Sequence, residues 1–190
     1  MMRIITGRAR GTKLNTLEGH NTRPTAERTK EAVFSMIQFD IADANVLDLF
    51  AGSGQMGLEA ISRGASRATL VDNEKSAIAV VSQNVKKTHF ENECVVVQSD
   101  FESYLKRVAE REKYDMVFLD PPYASDFLIR ALKCLIRYNL LSENATVVCE
   151  SGVSDLFAEE AELKEKFDII KQTKYGAAHV TIMKPHTDEV

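Results

Sequence analysis

Val46-Leu47-Asp48-Leu49-Phe50-Ala51-Gly52-Ser53-Gly54-Gln55-Met56-Gly57 joins a short apolar run to three glycines and then to Met56, Ala60 and Ile61 at helical spacing. Such a run reads as a buried strand, and the glycines as the tight turn that hands it to a helix. Glycine serves here because it tolerates left-handed backbone and lets N–H groups approach a ligand with no Cβ in the way. Gly52, Gly54 and Gly57 satisfy the GxGxxG spacing. Strand, glycine turn and helix in this order open a doubly wound α/β sheet.

The same alternation continues downstream. After the strand at 46–50, apolar runs at 68–72, 94–98, 116–120 and 145–150 are rich in β-branched residues and lack alternation, as expected of parallel strands buried on both faces. Between them Ala77, Ile78, Val81 and Val85, then Phe101, Tyr104, Leu105 and Val108, then Phe127, Leu128, Ala131, Leu132 and Leu135 recur at helical spacing. Right-handed crossovers then place helices on both faces and gather ligands at the carboxyl ends of the strands. The runs at 167–173 and 179–184 are separated by five residues, too few for a crossover helix, and should form an antiparallel hairpin closing one edge. Upstream, Ala26, Thr29, Val33, Met36 and Ile37 mark a helix, with Thr25 placed to cap it and Glu27 in its first turn. The polar tail 185–190 is expected to be loose.

Asp72 closes the second strand, twenty residues past Gly52, where a carboxylate can accept hydrogen bonds from both hydroxyls of a ribose. Asn73 beside it is assigned to the same site. Glycines and acidic residue together point to an adenosine-bearing cofactor without separating a nicotinamide dinucleotide from S-adenosylmethionine. Asp48 would meet a pyrophosphate unfavourably but could hold the ammonium of a methionine moiety; it could instead be a structural turn residue. In Ser99-Asp100-Phe101, Asp100 can accept from an exocyclic amine of adenine, a role compatible with capping the next helix.

Met116-Val117-Phe118-Leu119-Asp120-Pro121-Pro122-Tyr123 ends the fourth strand with two of the chain's four prolines. Asp120 and Pro121 both precede a proline and are forced toward extended backbone, and neither proline offers an N–H. The result is a stiff rim of acceptors. The Asp120 carboxylate and the Pro121 carbonyl can take the two hydrogens of a planar NH₂ group and aim its nitrogen at an electrophile, while Tyr123 offers a face for stacking a base. The competing reading is a rigid proline turn with an incidental Asp and Tyr.

In that order, the glycine turn, Asp72, Asp100 and Asp120-Pro121-Pro122-Tyr123 resemble the class I S-adenosylmethionine-dependent methyltransferases that act on amino nitrogens, whose sheet also ends with a reversed strand. The match extends N-terminally through Met2-Arg3-Ile4-Ile5-Thr6-Gly7-Arg8-Ala9-Arg10-Gly11, Thr22-Arg23-Pro24-Thr25 and Arg28-Thr29-Lys30-Glu31-Ala32-Val33-Phe34. That series is similar to the RsmD family of bacterial 16S ribosomal RNA guanine-N2 methyltransferases. Thr6 stands where the family commonly has Gly, and Ala9 where an aromatic is frequent.

The resemblance implies a Rossmann-like class I methyltransferase fold: a seven-stranded, mostly parallel sheet with an antiparallel final strand, preceded by a short N-terminal β-hairpin and helix. Residues 1–40 would be the RNA-facing extension, not independent of the rest, and 41–190 the methyltransferase domain. S-adenosyl-L-methionine would lie over Phe50, Ala51, Gly52, Ser53 and Gly54, with Asp48, Asp72, Asn73, Asp100 and Phe101 completing its site. Asp120, Pro121, Pro122 and Tyr123 would hold the target base. Arg3, Arg8, Arg10 and Lys13 would bind RNA phosphates, and Arg23 and Thr25 would line the cleft between arm and cofactor. The implied partner is 16S ribosomal RNA or the small ribosomal subunit.

Composition sets outer bounds. At 190 residues, 44% hydrophobic and 27% charged, the chain has the make-up of one globular domain. No apolar run reaches the roughly 18 residues of a membrane helix, and a cytoplasmic monomer is expected. Cys94, Cys134 and Cys149 lack CxxC spacing and read as buried thiols; His20, His89, His179 and His186 form no cluster, so no metal is expected. Residues 1–30 hold seven Lys and Arg against Glu18 and Glu27, a local charge of +5 within a net charge of −4. That leaves an acidic body of −9 with a basic arm, which argues against general nucleic-acid coating and leaves open a local phosphate-binding face.

Other classes leave marks too. A DNA adenine-N6 methyltransferase would use the same Asp-Pro-Pro-Tyr rim but needs a sequence-reading domain. Protein glutamine-N5 methyltransferases generally carry Asn where Asp120 stands. A nicotinamide-dependent oxidoreductase explains the glycines and not the rim, and a non-catalytic RNA binder explains only the arm.

Overall fold

The computed structural model describes residues 2–17, 24–122 and 125–187, the side chains of 24–26 excepted. Seven strands form one sheet: β1 (Asn45–Asp48), β2 (Arg67–Asp72), β3 (Cys94–Gln98), β4 (Tyr114–Leu119), β5 (Leu141–Ser151), β6 (Phe167–Tyr175) and β7 (Ala178–Pro185). The helices are α1 (Pro24–Met36), α2 (Gln55–Ser62), α3 (Lys75–Thr88), α4 (Phe101–Arg107), α5 (Phe127–Arg137) and the short α6 (Ala161–Lys164). Strand order is β3-β2-β1-β4-β5-β7-β6, with β1 to β5 parallel and β7 antiparallel to both its neighbours. This is the expected class I methyltransferase architecture. The closing hairpin has a turn of its own: β7 inserts between β5 and β6, so β6 takes the edge.

Successive strand residues feed opposite cores. Val46 packs with Phe34, Leu58, Ile61 and Phe118 on one face, while Leu47 packs with Leu105, Val117, Leu132 and Leu135 on the other. Burial on both faces explains why the central runs show no alternation. The run 94–98 departs from that expectation: β3 is an edge strand, and Val95 is 40% exposed. β1 stops two residues before the end of its apolar run because the chain turns at Leu49, whose N–H donates to Phe118 O at 3.2 Å. The switch of strand order between β1 and β4 opens a crevice at their carboxyl ends, where α/β sheets bind ligands.

The N-terminal arm is a narrow hairpin held by an Arg3–Lys13 bridge, with Ile4 N–H donating to Thr12 O and Leu14 N–H to Met2 O, both at 3.0 Å. Ile4 and Leu14 are buried in the core that α1 and α2 cover, so the arm is docked on the domain along its length. Among the described residues no helix is long and apolar enough to cross a membrane.

Candidate active site

The glycine turn is built by backbone geometry and one buried carboxylate. Gly52 and Gly54 have φ of 55° and 77°, in the left-handed region that favours glycine. Ala51 N–H donates to Val71 O at 2.9 Å, tying the turn to β2, and Gly57 N–H donates to Asp48 Oδ2 at 3.1 Å. A Cβ on Gly57 would lie 2.2 Å from Leu70 Cδ2, so the third glycine lets α2 pack against β2. Asp48 therefore sits beneath the turn, 4% exposed, and it is not on the cleft wall.

Burial pushes the Asp48 carboxyl up to about 7, the Gly57 N–H partly offsetting this and Asp72 adding to it. Its folded pKa exceeds the ordinary 3.8, so holding it ionised costs stability that grows from about pH 4 to about pH 7. Asp48→Asn keeps an acceptor for Gly57 and removes that cost. The variant should be more stable than the parent by up to about 3 kcal/mol at pH 8 and by clearly less at pH 5. Thermal unfolding at the two pH values checks this; an advantage larger at pH 5 would contradict it.

Asp72 braces the turn from β2, Oδ2 accepting from Gly52 N–H at 2.8 Å and Oδ1 from Glu74 N–H at 2.9 Å. Each oxygen keeps a further acceptor site, which is what two ribose hydroxyls require. Above it opens a cleft of about 1580 Å³, room for a nucleoside-sized donor and a base together. Gly52, Asp72, Asn73, Asp100 and Phe101 line it, as does Phe50. A Cβ at Gly52 would meet nothing within 4 Å, so the turn leaves open space above its backbone. These donors and acceptors fit an adenosine with a methionine tail. Ala51 and Ser53 of the expected set are buried in the turn, and Gly54 caps α2; none of the three is on the wall.

Asp100 caps α4, its Oδ1 accepting from Ser103 N–H at 2.9 Å, and this bond holds its carboxyl below the usual range. Phe101 stands in an aromatic cluster with Phe50 and Phe127 at 5.3 Å each, and the Arg130 guanidinium lies 5.5 Å from the Phe101 ring centre. Arg130 is held in turn by Glu102, at 2.6 and 3.0 Å, and by Asp126 at 3.2 Å. Phe127 and Arg130 line the cleft and were not singled out in the sequence, where Phe127 reads as one more core position of an amphipathic helix.

At the end of β4, Asp120, Pro121 and Pro122 form the lip of the same cleft. The Pro122 carbonyl is occupied, accepting from Ser125 N–H at 3.1 Å and Ser125 Oγ at 2.6 Å. Among the described residues the Pro121 carbonyl accepts no hydrogen bond. The Asp120 side chain is open to the cleft but otherwise surrounded by protein; this desolvation first, then the Glu150 and Asp48 carboxylates, push it up to about 8. Leu119 pairs with Cys149 and Phe118 with Asp48, so parallel register sets Asp120, Glu150 and Asp48 on one face of the sheet. Tyr123 lies outside the described residues.

The arm is fastened by two buried side chains that sequence reading missed. Glu59 on α2, with no exposed surface, accepts from Ile5 N–H at 2.8 Å and Thr6 N–H at 3.0 Å and pairs with Lys30 at 3.4 Å and Arg63 at 2.8 Å. Lys30 also donates to Arg3 O at 2.7 Å. Asn84 on α3 is the second anchor, bonded to the backbone of Asn15 in both directions. Of the expected phosphate ligands, Arg3 is paired with Glu27 at 2.7 Å, and Arg8 with Glu93 at 3.0 Å while stacking on Phe90. Arg10 and Lys13 are exposed and make no ion pair among the described residues. Arg23 and the Thr25 side chain lie outside the described residues. No group of His, Cys, Asp and Glu among those described is arranged to hold a metal ion.

With this geometry in place, comparison with known proteins finds close relatives. The family model described as "Conserved hypothetical protein 95", the RsmD family, matches residues 2–184. Ribosomal RNA small subunit methyltransferase D of Haemophilus influenzae is 36% identical over 152 residues, covering 79% of this chain and 78% of its own. The protein of the same name from Escherichia coli K12 is 34% identical, covering 81% and 76%. Among solved structures, a conserved hypothetical protein of Streptococcus pyogenes is 36% identical with a TM-score of 0.74, covering 83% of this chain and 95% of that one. The glycine turn over Asp72, the acidic-proline lip and the docked basic arm thus occur together in a chain that belongs to the RsmD family.

Proposed function

We propose that this protein transfers a methyl group from S-adenosylmethionine to the exocyclic N2 amine of a guanine in 16S ribosomal RNA, acting in the cytoplasm as a monomer on the RNA or the small subunit. The observation that carries the reading is the lip: Asp120 and Pro121 line the cleft together with Asp72 and Gly52 of the glycine turn, and among the described residues the Pro121 carbonyl accepts no hydrogen bond. Two acceptors on rigid backbone suit a planar NH₂, and the names of the curated relatives point to small-subunit RNA as its source.

The donor supplies a methyl carbon made electrophilic by an adjacent sulfonium. Gly52, Asp72 and Asp100 bind and orient it, with Asp48 proposed to favour its ammonium through the turn rather than by contact. Asp120 and Pro121 O hold the two N2 hydrogens so that the nitrogen lone pair faces the methyl carbon, and alignment supplies most of the rate. As the nitrogen–carbon bond forms and the sulfur–carbon bond breaks, N2 becomes cationic and releases one proton, for which Asp120 is a candidate acceptor. A guanine inside a helical stack cannot reach this lip, so the target is flipped or unpaired, with Tyr123 proposed to stack on it.

The test is methyl transfer from radiolabelled donor to small ribosomal subunits from cells lacking this protein, followed by nucleoside analysis. Label in N2-methylguanosine is expected; label in N6-methyladenosine, DNA or protein would replace the reading. The arm carries a second expectation. Because Arg10 and Lys13 are exposed and make no ion pair among the described residues, Arg10→Ala with Lys13→Ala should weaken RNA binding and reduce the slope of log affinity against log salt by about 1 to 2. Affinity for S-adenosylhomocysteine, measured by calorimetry without RNA, should be unchanged; equal loss of both would contradict this division of labour.

A further inference from the structure

The outgoing strand of the arm does more than present cations. Leu14, Asn15, Thr16 and Leu17 line the same cleft as Asp120 and Pro121. Leu14 is buried, and the backbone of Asn15 is gripped by a single side chain, Asn84, which has no exposed surface. Asn84 Oδ1 accepts from Asn15 N–H at 2.7 Å, and Asn84 Nδ2 donates to Asn15 O at 3.0 Å and to Ser53 O at 2.8 Å. One amide therefore joins the arm to the glycine turn, with both its N–H donors and its carbonyl oxygen engaged. The turn and the arm also meet through Ser53 Oγ, which donates to Met2 Sδ at 2.9 Å. Outside the core, Asn15 Nδ2 donates to Gln83 Oε1 at 2.6 Å, and Gln83 lines the cleft too.

We infer that residues 14–17 are part of the cofactor site and that Asn84 is the positioning residue that holds them there, so that cofactor and RNA bind with positive coupling. The inference rests on the reading that the cleft takes S-adenosylmethionine and the arm takes RNA. Its physical basis is that both ligands draw on one rigid unit. A cofactor seated on the glycine turn packs against residues 14–17 and favours the docked arm, and RNA held by that arm keeps residues 14–17 lining the cleft. Shifting Asn84 would release the turn and the arm together, since Ser53 O, Asn15 N–H and Asn15 O would each lose a buried partner. Coupling of this kind is reciprocal.

The experiment measures S-adenosylhomocysteine affinity with and without unmodified small ribosomal subunits, and subunit affinity with and without S-adenosylhomocysteine. For the parent protein each ligand is expected to tighten the other by the same factor, about tenfold. Asn84→Ala should bring that factor close to one. A purely structural loss would lower the melting temperature and both affinities while leaving their ratio intact, and that outcome overturns the inference. So does a parent protein that binds both ligands with each affinity indifferent to the other. A parent protein that binds no S-adenosylhomocysteine, or no subunits, overturns the functional reading first and this inference with it. Should Asn84→Ala fail to fold, hydrogen exchange on the parent decides: S-adenosylhomocysteine alone should slow exchange of the amides at 14–17, and unchanged exchange there sinks the inference.

Discussion

Asp120→Ala should lower methyl transfer by about 10² to 10³-fold while S-adenosylhomocysteine affinity stays within about twofold of the parent. The side chain faces the cleft from the end of β4, whereas the turn that would seat the donor is braced by Asp72, on another strand. On the proposed function, removing the carboxylate would leave the Pro121 carbonyl to hold one hydrogen of the amine and would free the nitrogen to rotate away from the methyl carbon. Asp120→Asn keeps an acceptor oxygen without the charge and should fall between, losing about tenfold.

The pH dependence gives a second reading of the same group. Desolvation, then Glu150 and Asp48, raise the Asp120 carboxyl to about 8, so in the free protein it is largely neutral at pH 7 and ionises as pH rises. The ionised form is the stronger acceptor, and kcat/KM, which reports the free protein, should climb through about pH 8 and then level. Glu150→Gln removes one of the two repelling carboxylates and should move that limb to lower pH. Full activity in Asp120→Ala, or a flat profile from pH 6 to 9, would detach the chemistry from the lip.

Glu59→Ala is expected to cost about 3 to 5 kcal/mol of stability, because it strands Lys30 as a buried, unpaired charge. Lys30 is 3% exposed, and burial already lowers its pKa against the raising effect of Glu59. The same substitution leaves the N–H groups of Ile5 and Thr6 without an acceptor. For a chain of this size the loss corresponds to a fall in melting temperature of roughly 10 °C. Replacing Glu59 and Lys30 together by apolar residues should not restore stability, since the two arm N–H groups would still be unmet. RNA binding should fall with arm docking, and a melting temperature within about 2 °C of the parent would show that the arm is held by other contacts.

Gly7 shows why this anchor tolerates so little. Its φ is 88°, and a Cβ there would lie 1.8 Å from Ser62 O, so the arm's backbone rests directly on the last turn of α2. Glu59, three residues earlier on the same helix, then reaches the arm's N–H groups with no intervening side chain.

Much of this site was legible in the chain itself. A glycine turn after an apolar run, an acidic residue twenty positions on, and an Asp-Pro-Pro lip are local patterns, each set by backbone sterics and hydrogen-bonding capacity that travel with the residues. The alternation of apolar runs and amphipathic stretches carried the doubly wound sheet, and a five-residue gap was enough to demand the reversed final strand. Glu59 was invisible by contrast: in Gln55-Met56-Gly57-Leu58-Glu59-Ala60 it looks like a solvated helix position, and only contacts 53 and 54 residues away bury it. Asn84 likewise gains its meaning from Asn15 and Ser53, Phe127 from Phe50 and Phe101, and the carboxylates of Asp48, Asp120 and Glu150 from the register of three parallel strands. The pairing of Arg3 and Arg8 with distant acids also waited on folding, because ion pairs across the chain depend on where the backbone returns, which no window of neighbouring residues encodes.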